Sequence, residues 1–118
     1  MTTRSDGFLQ TSPVAVGLNA SGQVVVSSRE TAMKVKNLSR RPRATFCVLS
    51  DAFYGEWIQI EGPVKILHLP DAMEPLVEYY RSVVGEHPDW DRYRAEMVEE
   101  RRVLLVTDIE RAGPDVAG

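Results

Sequence analysis

The chain has 118 residues, of which 43% are hydrophobic and 26% are charged, and its formal net charge at pH 7 is −3. These values predict one ordinary globular domain with its own core, and the acidic balance argues against general nucleic-acid binding. No apolar run approaches the ~20 residues of a membrane span, and the polar residues after Met1 do not resemble a signal peptide, so a cytoplasmic protein is expected.

The first half of the chain predicts antiparallel strands interrupted by one helix. Asp6-Gly7 is typical of a hairpin turn, and Pro42 would end the helix. Gly62-Pro63 predicts a kink in the last of these strands. The predicted elements are a short arm at 1–5, strands at 8–18 and 23–28, a helix at 30–40, a strand at 44–50 that is buried on both faces, and a strand at 56–69.

The second half predicts two helices and a final strand. Asp71 is a suitable N-cap for a helix over 72–84, and Asp89 or Asp91 for a second helix that ends near residue 100. The apolar run after Arg102 predicts a strand over 102–109. Residues 1–113 are therefore expected to form a single domain, and residues 114–118 a flexible tail.

The single cysteine excludes an internal disulfide. Cys47 stands among Phe46, Val48 and Leu49, which predicts a buried and unreactive thiol. His68 and His87 are far apart and lie in no Cys/His cluster, so no metal site is predicted.

A basic, hydroxyl-rich segment follows the second strand and begins the first helix. Free backbone N–H groups and the positive end of a helix dipole attract phosphate at such a place. Thr31, Lys34 and Lys36 would add side-chain donors. The alternative for the two lysines is an ordinary solvated helix face. Trp57 is open to two interpretations as well, which are packing in a core or interface and stacking against a planar ring.

Three short motifs resemble those of the pyridoxamine 5′-phosphate oxidase-like split barrels. DGFLQTSPV at 6–14 is similar to their DGxPQxxPV opening, and KVKNLSRRPR at 34–43 is similar to their KxxNLxRxPR helix. Glu61-Gly62 matches a Glu-Gly pair in their next strand. The family fold implied is a mainly β, antiparallel split β-barrel with helices (α+β) of the FMN-binding type.

The segment from Tyr80 to Leu105 resembles one branch of that family in particular. Its residues GEHPDWD at 85–91, followed by Tyr93-Arg94 and Arg101-Arg102, are similar to the branch that uses the deazaflavin coenzyme F420. The implied activity is hydride transfer between F420 and a small organic acceptor. The alternatives are an FMN-binding flavoprotein of the same fold and a non-catalytic F420 carrier.

The resemblance also implies a homodimer with a cofactor site at the subunit interface. The cofactor ring would lie along the predicted strand over 8–18, and its phosphate would lie at the turn into the helix over 30–40. Trp57 of the other subunit would stand near the ring, and Arg102 would approach across the interface. Relatives carry an arginine where this chain has Ala32, and Arg29 is the candidate substitute. The implied cofactor-binding residues are Gln10, Ser12, Pro13, Val14, Ser27, Ser28, Thr31, Met33, Lys34, Asn37, Trp57 and Arg102.

Overall fold

The structure, a computed structural model, describes residues 1–52 and 54–113. The predicted tail lies outside the described residues. The strands are β1 (Thr2–Thr3), β2 (Leu9–Gln10), β3 (Gly17–Leu18), β4 (Val24–Arg29), β5 (Arg43–Leu49), β6 (Trp57–Leu67), β7 (Arg102–Thr107) and β8 (Arg111–Ala112). The helices are α1 (Met33–Arg40), α2 (Met73–Val83) and α3 (Trp90–Glu99).

All strand pairs are antiparallel, as predicted, and most belong to one twisted sheet. Its order is β3-β4-β7-β6-β5, with β8 also paired to β6, while β1 and β2 form a separate two-stranded sheet. The long strand β6 pairs with β5 up to Pro63 and with β7 from Val64 onward. The predicted kink at Gly62-Pro63 is therefore a change of partner within one continuous strand.

Gly62 has a steric role at this change of partner. A Cβ atom built on Gly62 would lie 1.8 Å from the backbone oxygen of Asp108. No side chain fits at that distance, so the close approach of the β7 end to β6 requires glycine here.

The closed split barrel expected from the family resemblance is not formed in the described part of the chain. The predicted strand over 8–18 is reduced to β2 and β3, and the segment between them belongs to no strand. Pro13 lies in this segment, and it lacks the N–H group that a sheet ladder needs. The sheet consequently keeps an open side between this segment and β5.

Two hydrophobic clusters lie on opposite faces of the sheet, because side chains alternate along a strand. On the helical face, Leu104 and Val106 of β7 pack with α2 and α3. On the inner face, Val103 and Leu105 pack with α1 and with Ala44 of β5. This division decides which side chains can share a site.

The helix starts show which capping predictions hold. Of the two predicted caps of α3, Asp89 and Asp91, Asp89 is the one that forms, since its Oδ1 accepts a hydrogen bond of 3.1 Å from the Arg92 N–H. Asp71 does not cap α2, which begins after Ala72. The first helix begins at Met33 rather than at residue 30, and its N-cap, Ala32, has no side-chain hydrogen bond to offer.

Strand β5 lies at the edge of the sheet, and the prediction that both its faces are buried is wrong. Ala44 is buried on the inner face, whereas Cys47 and Leu49 are exposed on the outer one. The predicted buried thiol is therefore wrong as well. A continuous apolar run normally indicates a strand covered on both faces, but no described element covers the outer face of this strand.

Candidate functional site

An open groove runs between β5 and the segment 11–16, which joins β2 to β3. It has a volume of about 430 Å³. Ser12, Pro13 and Val14 form one wall, and β5 side chains from Thr45 to Leu49 form the other. We call it the β5 groove. It brings together three of the residues that the family resemblance implies for the ring of a cofactor.

The β5 groove continues into a small cavity beneath α1, which we call the inner cavity. This cavity has a volume of about 30 Å³. Ser12, Val14 and Phe46 line both spaces, so the two are contiguous. The side chains that line only the inner cavity include Gln10, Val26, Lys34, Leu38, Leu105 and Thr107.

Lys34 lies at the first turn of α1 and lines the inner cavity, where it is half-buried. Lys36 is exposed on another side of the same helix, as expected from a rotation of ~200° over two residues. The N–H groups of Met33 and Lys34 make no hydrogen bond to another residue in the described part of the chain. This helix start therefore combines one ammonium group with unpaired backbone donors, a combination that suits a phosphate.

Gln10 is held in place by a buried polar network. Its Oε1 accepts hydrogen bonds from Thr2 Oγ1 at 3.4 Å and from Asn37 Nδ2 at 3.3 Å. Asn37 Nδ2 also donates to Thr2 Oγ1 at 3.1 Å, and Asn37 Oδ1 accepts from Arg40 at 3.0 Å. The network occupies the Gln10 oxygen and leaves its amide N–H₂ group available at the cavity.

Asn37 is itself only 1% exposed, and both ends of its amide are hydrogen-bonded within the chain. It anchors β1 and β2 to α1. Its implied role in binding cofactor stays a prediction, and the structure adds a structural role that the sequence motif did not reveal.

Ser27 and Arg102 lie on the helical face of the sheet, away from Lys34. Ser27 is opposite Leu104 in the β4–β7 register, and Leu104 packs with α2 and α3. Arg102 donates to Glu100 at 2.9 Å. Burial raises the pKa of Tyr93 to about 12, and the nearby Arg102 charge opposes that rise. Within one subunit, Ser27 and Arg102 therefore cannot line the β5 groove.

Arg29, the predicted substitute for the arginine that the family resemblance implies near the helix start, does not lie there. It is opposite Arg102 in the register and lies 3.4 Å from the Glu100 carboxylate. Its side chain therefore belongs to the helical face, and Lys34 is left as the basic side chain that lines the inner cavity, near the amino group of Met1.

The remaining predicted residues surround the site without lining it. Ser28 is buried, and its hydroxyl donates to the Arg29 carbonyl at 3.2 Å. Thr31 and Met33 are exposed before and at the start of α1. Trp57 pairs with Leu49 at the far end of β5 from Ala44, which borders the inner cavity. A contact between Trp57 and a partner subunit's site stays a prediction.

Thr107 is one of the lining residues that sequence reasoning missed, together with Thr2 and the apolar walls of the inner cavity. It is fully buried, and its Oγ1 has no hydrogen-bond partner within 1–52 and 54–113. The sequence carries one signal, a lone hydroxyl at the end of the apolar run that forms β7. That signal has meaning only once the strand is known to border a cavity.

Two negative findings apply to the described residues. They contain no group of three or more His, Cys, Asp or Glu side chains placed to hold a metal ion. None of their helices is both long and apolar enough to cross a membrane.

Comparison with known proteins adds a family and a fold. The sequence profile of the family described as pyridoxamine 5′-phosphate oxidase matches residues 1–113. A conserved hypothetical protein from Mycobacterium tuberculosis is similar in structure, with a TM-score of 0.75 and 19% identity over 99% of this chain and 81% of that one.

Two other solved structures are also similar. An FMN-binding protein related to pyridoxamine 5′-phosphate oxidase, from Nostoc punctiforme, has a TM-score of 0.65 and 13% identity over 94% of this chain and 69% of its own. A heme-binding protein from Mycobacterium smegmatis has a TM-score of 0.68 and 16% identity over 94% of this chain, which spans only 45% of that protein. At these identities the likeness shows the fold alone.

Proposed function

This chain belongs to the pyridoxamine 5′-phosphate oxidase family, and we propose that it is an oxidoreductase that binds a phosphorylated flavin-type cofactor in the β5 groove. The observation that carries the proposal is the uncapped start of α1 beside the half-buried Lys34. An alanine N-cap leaves backbone donors unpaired. A phosphate bound there would supply the missing acceptor.

The groove suits the rest of such a cofactor. Its volume of about 430 Å³ lies within the usual ~300–1,000 Å³ of small-molecule sites. Pro13 and Val14 offer an apolar wall for a planar ring, and the Gln10 amide offers a donor at its edge. Bound there, the cofactor would supply hydride transfer to a small organic acceptor. The chain would orient the ring and hold the phosphate.

We place coenzyme F420 first among the cofactors, because the segment Tyr80–Leu105 resembles the F420 branch of the family. FMN is the alternative. Both carry one phosphate, so a preference must come from the longer carboxylate tail of F420. Arg101 and Arg102 are engaged by Glu30 and Glu100, which leaves exposed cations near α1, chiefly Lys36 and Arg41, as partners for that tail.

Fluorescence titration of the chain with F420 and with FMN tests this order. F420 should bind more tightly at low salt, and its advantage should shrink at high salt, because exposed ion pairs contribute only ~0–1 kcal/mol each and are screened. Equal or tighter binding of FMN would make FMN, and not F420, the proposed cofactor. Binding of neither cofactor would contradict the proposed function.

A non-catalytic F420 carrier remains as the second alternative. It would bind the oxidised and reduced forms but would not oxidise the reduced form in the presence of an acceptor. A screen of enone and quinone acceptors with reduced F420 distinguishes a carrier from an enzyme.

We also propose that the chain acts as a homodimer through the open β5 side of the sheet. The outer face of β5 exposes Cys47 and Leu49, and the β5 groove borders it. A partner subunit packed there would close the groove and exclude water from the cofactor.

A further inference from the structure

A second cleft lies on the helical face of the sheet, opposite the face that borders the inner cavity. Its volume is about 590 Å³, which is within the usual ~300–1,000 Å³ of small-molecule sites. One wall is a stripe of α2 with Pro75, Tyr79 and Ser82, which share a side of the helix through their spacing of four and three residues. The other walls are the β3–β4 connection and side chains of β4, β6 and β7. We call it the α2 cleft, and among the described residues it shares no lining side chain with the β5 groove or the inner cavity.

The α2 cleft exposes apolar surface that the described part of the chain does not cover. Leu18 of β3 lines the cleft and is 62% exposed. Leu67 and Pro75, which are half-buried, line it as well, and Val25 and Val106 form part of its buried floor. A ligand with a hydrocarbon part would remove this surface from water, which favours binding.

Lys65 is the basic side chain that lines the α2 cleft. It is exposed on β6, and in the described part of the chain its side chain makes no ion pair or hydrogen bond. The two carboxylates that line the same cleft are already engaged, since Glu74 pairs with Arg94 at 2.5 Å and Glu78 with Arg81 at 2.8 Å. The cleft therefore combines an apolar surface with one ammonium group that has no acidic partner.

We propose that the α2 cleft binds a small amphipathic carboxylate, with the carboxylate at Lys65 and the hydrocarbon part against Leu18 and Leu67. A neutral ligand would leave the ammonium group of Lys65 unpaired, and a cationic ligand would be repelled by it. The proposed cofactor lies on the other face of the sheet, so this binding needs no cofactor. The chain would thus carry a ligand site that is separate from its proposed oxidoreductase site.

A pair of probes tests the α2 cleft in the full chain by NMR titration. Octanoate and octanol share a hydrocarbon chain and differ in charge. The wild-type chain should bind octanoate about three- to fivefold more tightly at low salt, because a pair with an exposed lysine contributes at most about this factor. High salt should reduce the difference. The amide signals that shift should belong to residues 18–23 and 74–82, which border the cleft.

Two variants separate the charge from the apolar surface. Lys65→Met keeps much of the side-chain length without the charge, so it should bind both probes alike. Arg92→Met on α3 is its control, because Arg92 is 74% exposed and does not line the cleft, and it should keep the preference for octanoate. Leu18→Ser should weaken the binding of both probes about threefold. Val98→Ser on α3, where Val98 is 59% exposed, should leave both unchanged.

Four results would overturn this site. The first is an unchanged octanoate preference in Lys65→Met, and the second is no binding of either probe to the wild-type chain. The third is a set of shifts at residues 11–16 and 45–49, which would place octanoate in the β5 groove. The fourth is a change of oligomeric state in Leu18→Ser, which would make the cleft a protein interface. Failure to bind F420 and FMN would contradict the proposed function and leave the binding of octanoate intact.

Discussion

Asn37 contributes both to the candidate site and to the stability of the chain, through the hydrogen bonds of its side-chain amide. Its amide donates to Thr2 and Gln10 and accepts from Arg40, in nearly complete burial. Because Gln10 lines the inner cavity, the orientation of one site residue depends on a side chain that does not need to touch any ligand. Ligand binding and folding are thus coupled at this residue.

Replacement of Asn37 by alanine should lower the free energy of unfolding by about 2–3 kcal/mol, because several buried partners lose their hydrogen bonds together. Urea denaturation measures this change. Ser39→Ala on the same helix is the control. Its hydroxyl makes one local bond to the Val35 carbonyl, and its loss should cost no more than about 0.5 kcal/mol. Full stability of Asn37→Ala with loss of cofactor binding would instead make Asn37 a direct ligand.

Among the elements, α1 begins without a side-chain cap, and we expect its unpaired backbone N–H groups to bind the cofactor phosphate. Ala32 has the extended backbone of an N-cap, with φ −63° and ψ 146°, but lacks a side-chain acceptor. A serine there should cap the helix and raise the free energy of unfolding by about 1 kcal/mol. The same hydroxyl would occupy the backbone donors, so cofactor binding should weaken by about tenfold.

Asp89→Ala at the start of α3 is the matched control for Ala32→Ser. It removes a cap that is formed, so it should lower stability by about 1 kcal/mol and leave cofactor binding unchanged. Thermal unfolding and fluorescence titration measure both effects. Tighter cofactor binding by Ala32→Ser would contradict the assignment of phosphate to this helix start.

Sequence reasoning predicted the elements better than their ends. The cap of α3 was narrowed to Asp89 or Asp91 because Asp before an apolar-periodic run has a direct physical meaning, and the structure selects Asp89. The start of α1 was placed too early, because Glu30 and Thr31 are compatible with a helix and only the tertiary path of β4 extends the strand to Arg29. Such competition between local preference and packing is not visible in the sequence.

The site was predicted in part, for similar reasons. Ser12 and Val14 line both the β5 groove and the inner cavity, whereas Pro13 lines only the groove and Lys34 only the cavity. Ser27 is implied by the same family resemblance, but the alternation of side chains along β4 places it on the helical face of the sheet. Cys47 was misplaced because its apolar neighbours do not reveal that β5 is an edge strand. The positions of Ser27 and Cys47 depend on which strands pair and which strand lies at the sheet edge, and short sequence motifs do not encode that topology.

For the whole molecule, the exposed Leu49 and Cys47 on the open edge strand β5 lead to a prediction about assembly. We expect a homodimer by light scattering, and Leu49→Asp should convert it to a monomer because two carboxylates would enter the interface. Val98→Asp on α3 is the control, since Val98 is 59% exposed and Leu49 is 60% exposed, and it should remain dimeric. A monodisperse wild-type monomer would contradict this assembly.

The central claim is that the start of α1 holds the phosphate of the cofactor, and one comparison of variants tests it most directly. Cofactor binding is measured by fluorescence titration for Lys34→Ala and Lys36→Ala. The first should weaken binding about ten- to a hundredfold, since a hydrogen bond to a charged group contributes roughly 1.5–3 kcal/mol, and the second should have a much smaller effect. Both variants should unfold at the wild-type temperature. If the two variants bind the cofactor equally well, the phosphate lies elsewhere, and the lysines form an ordinary solvated face.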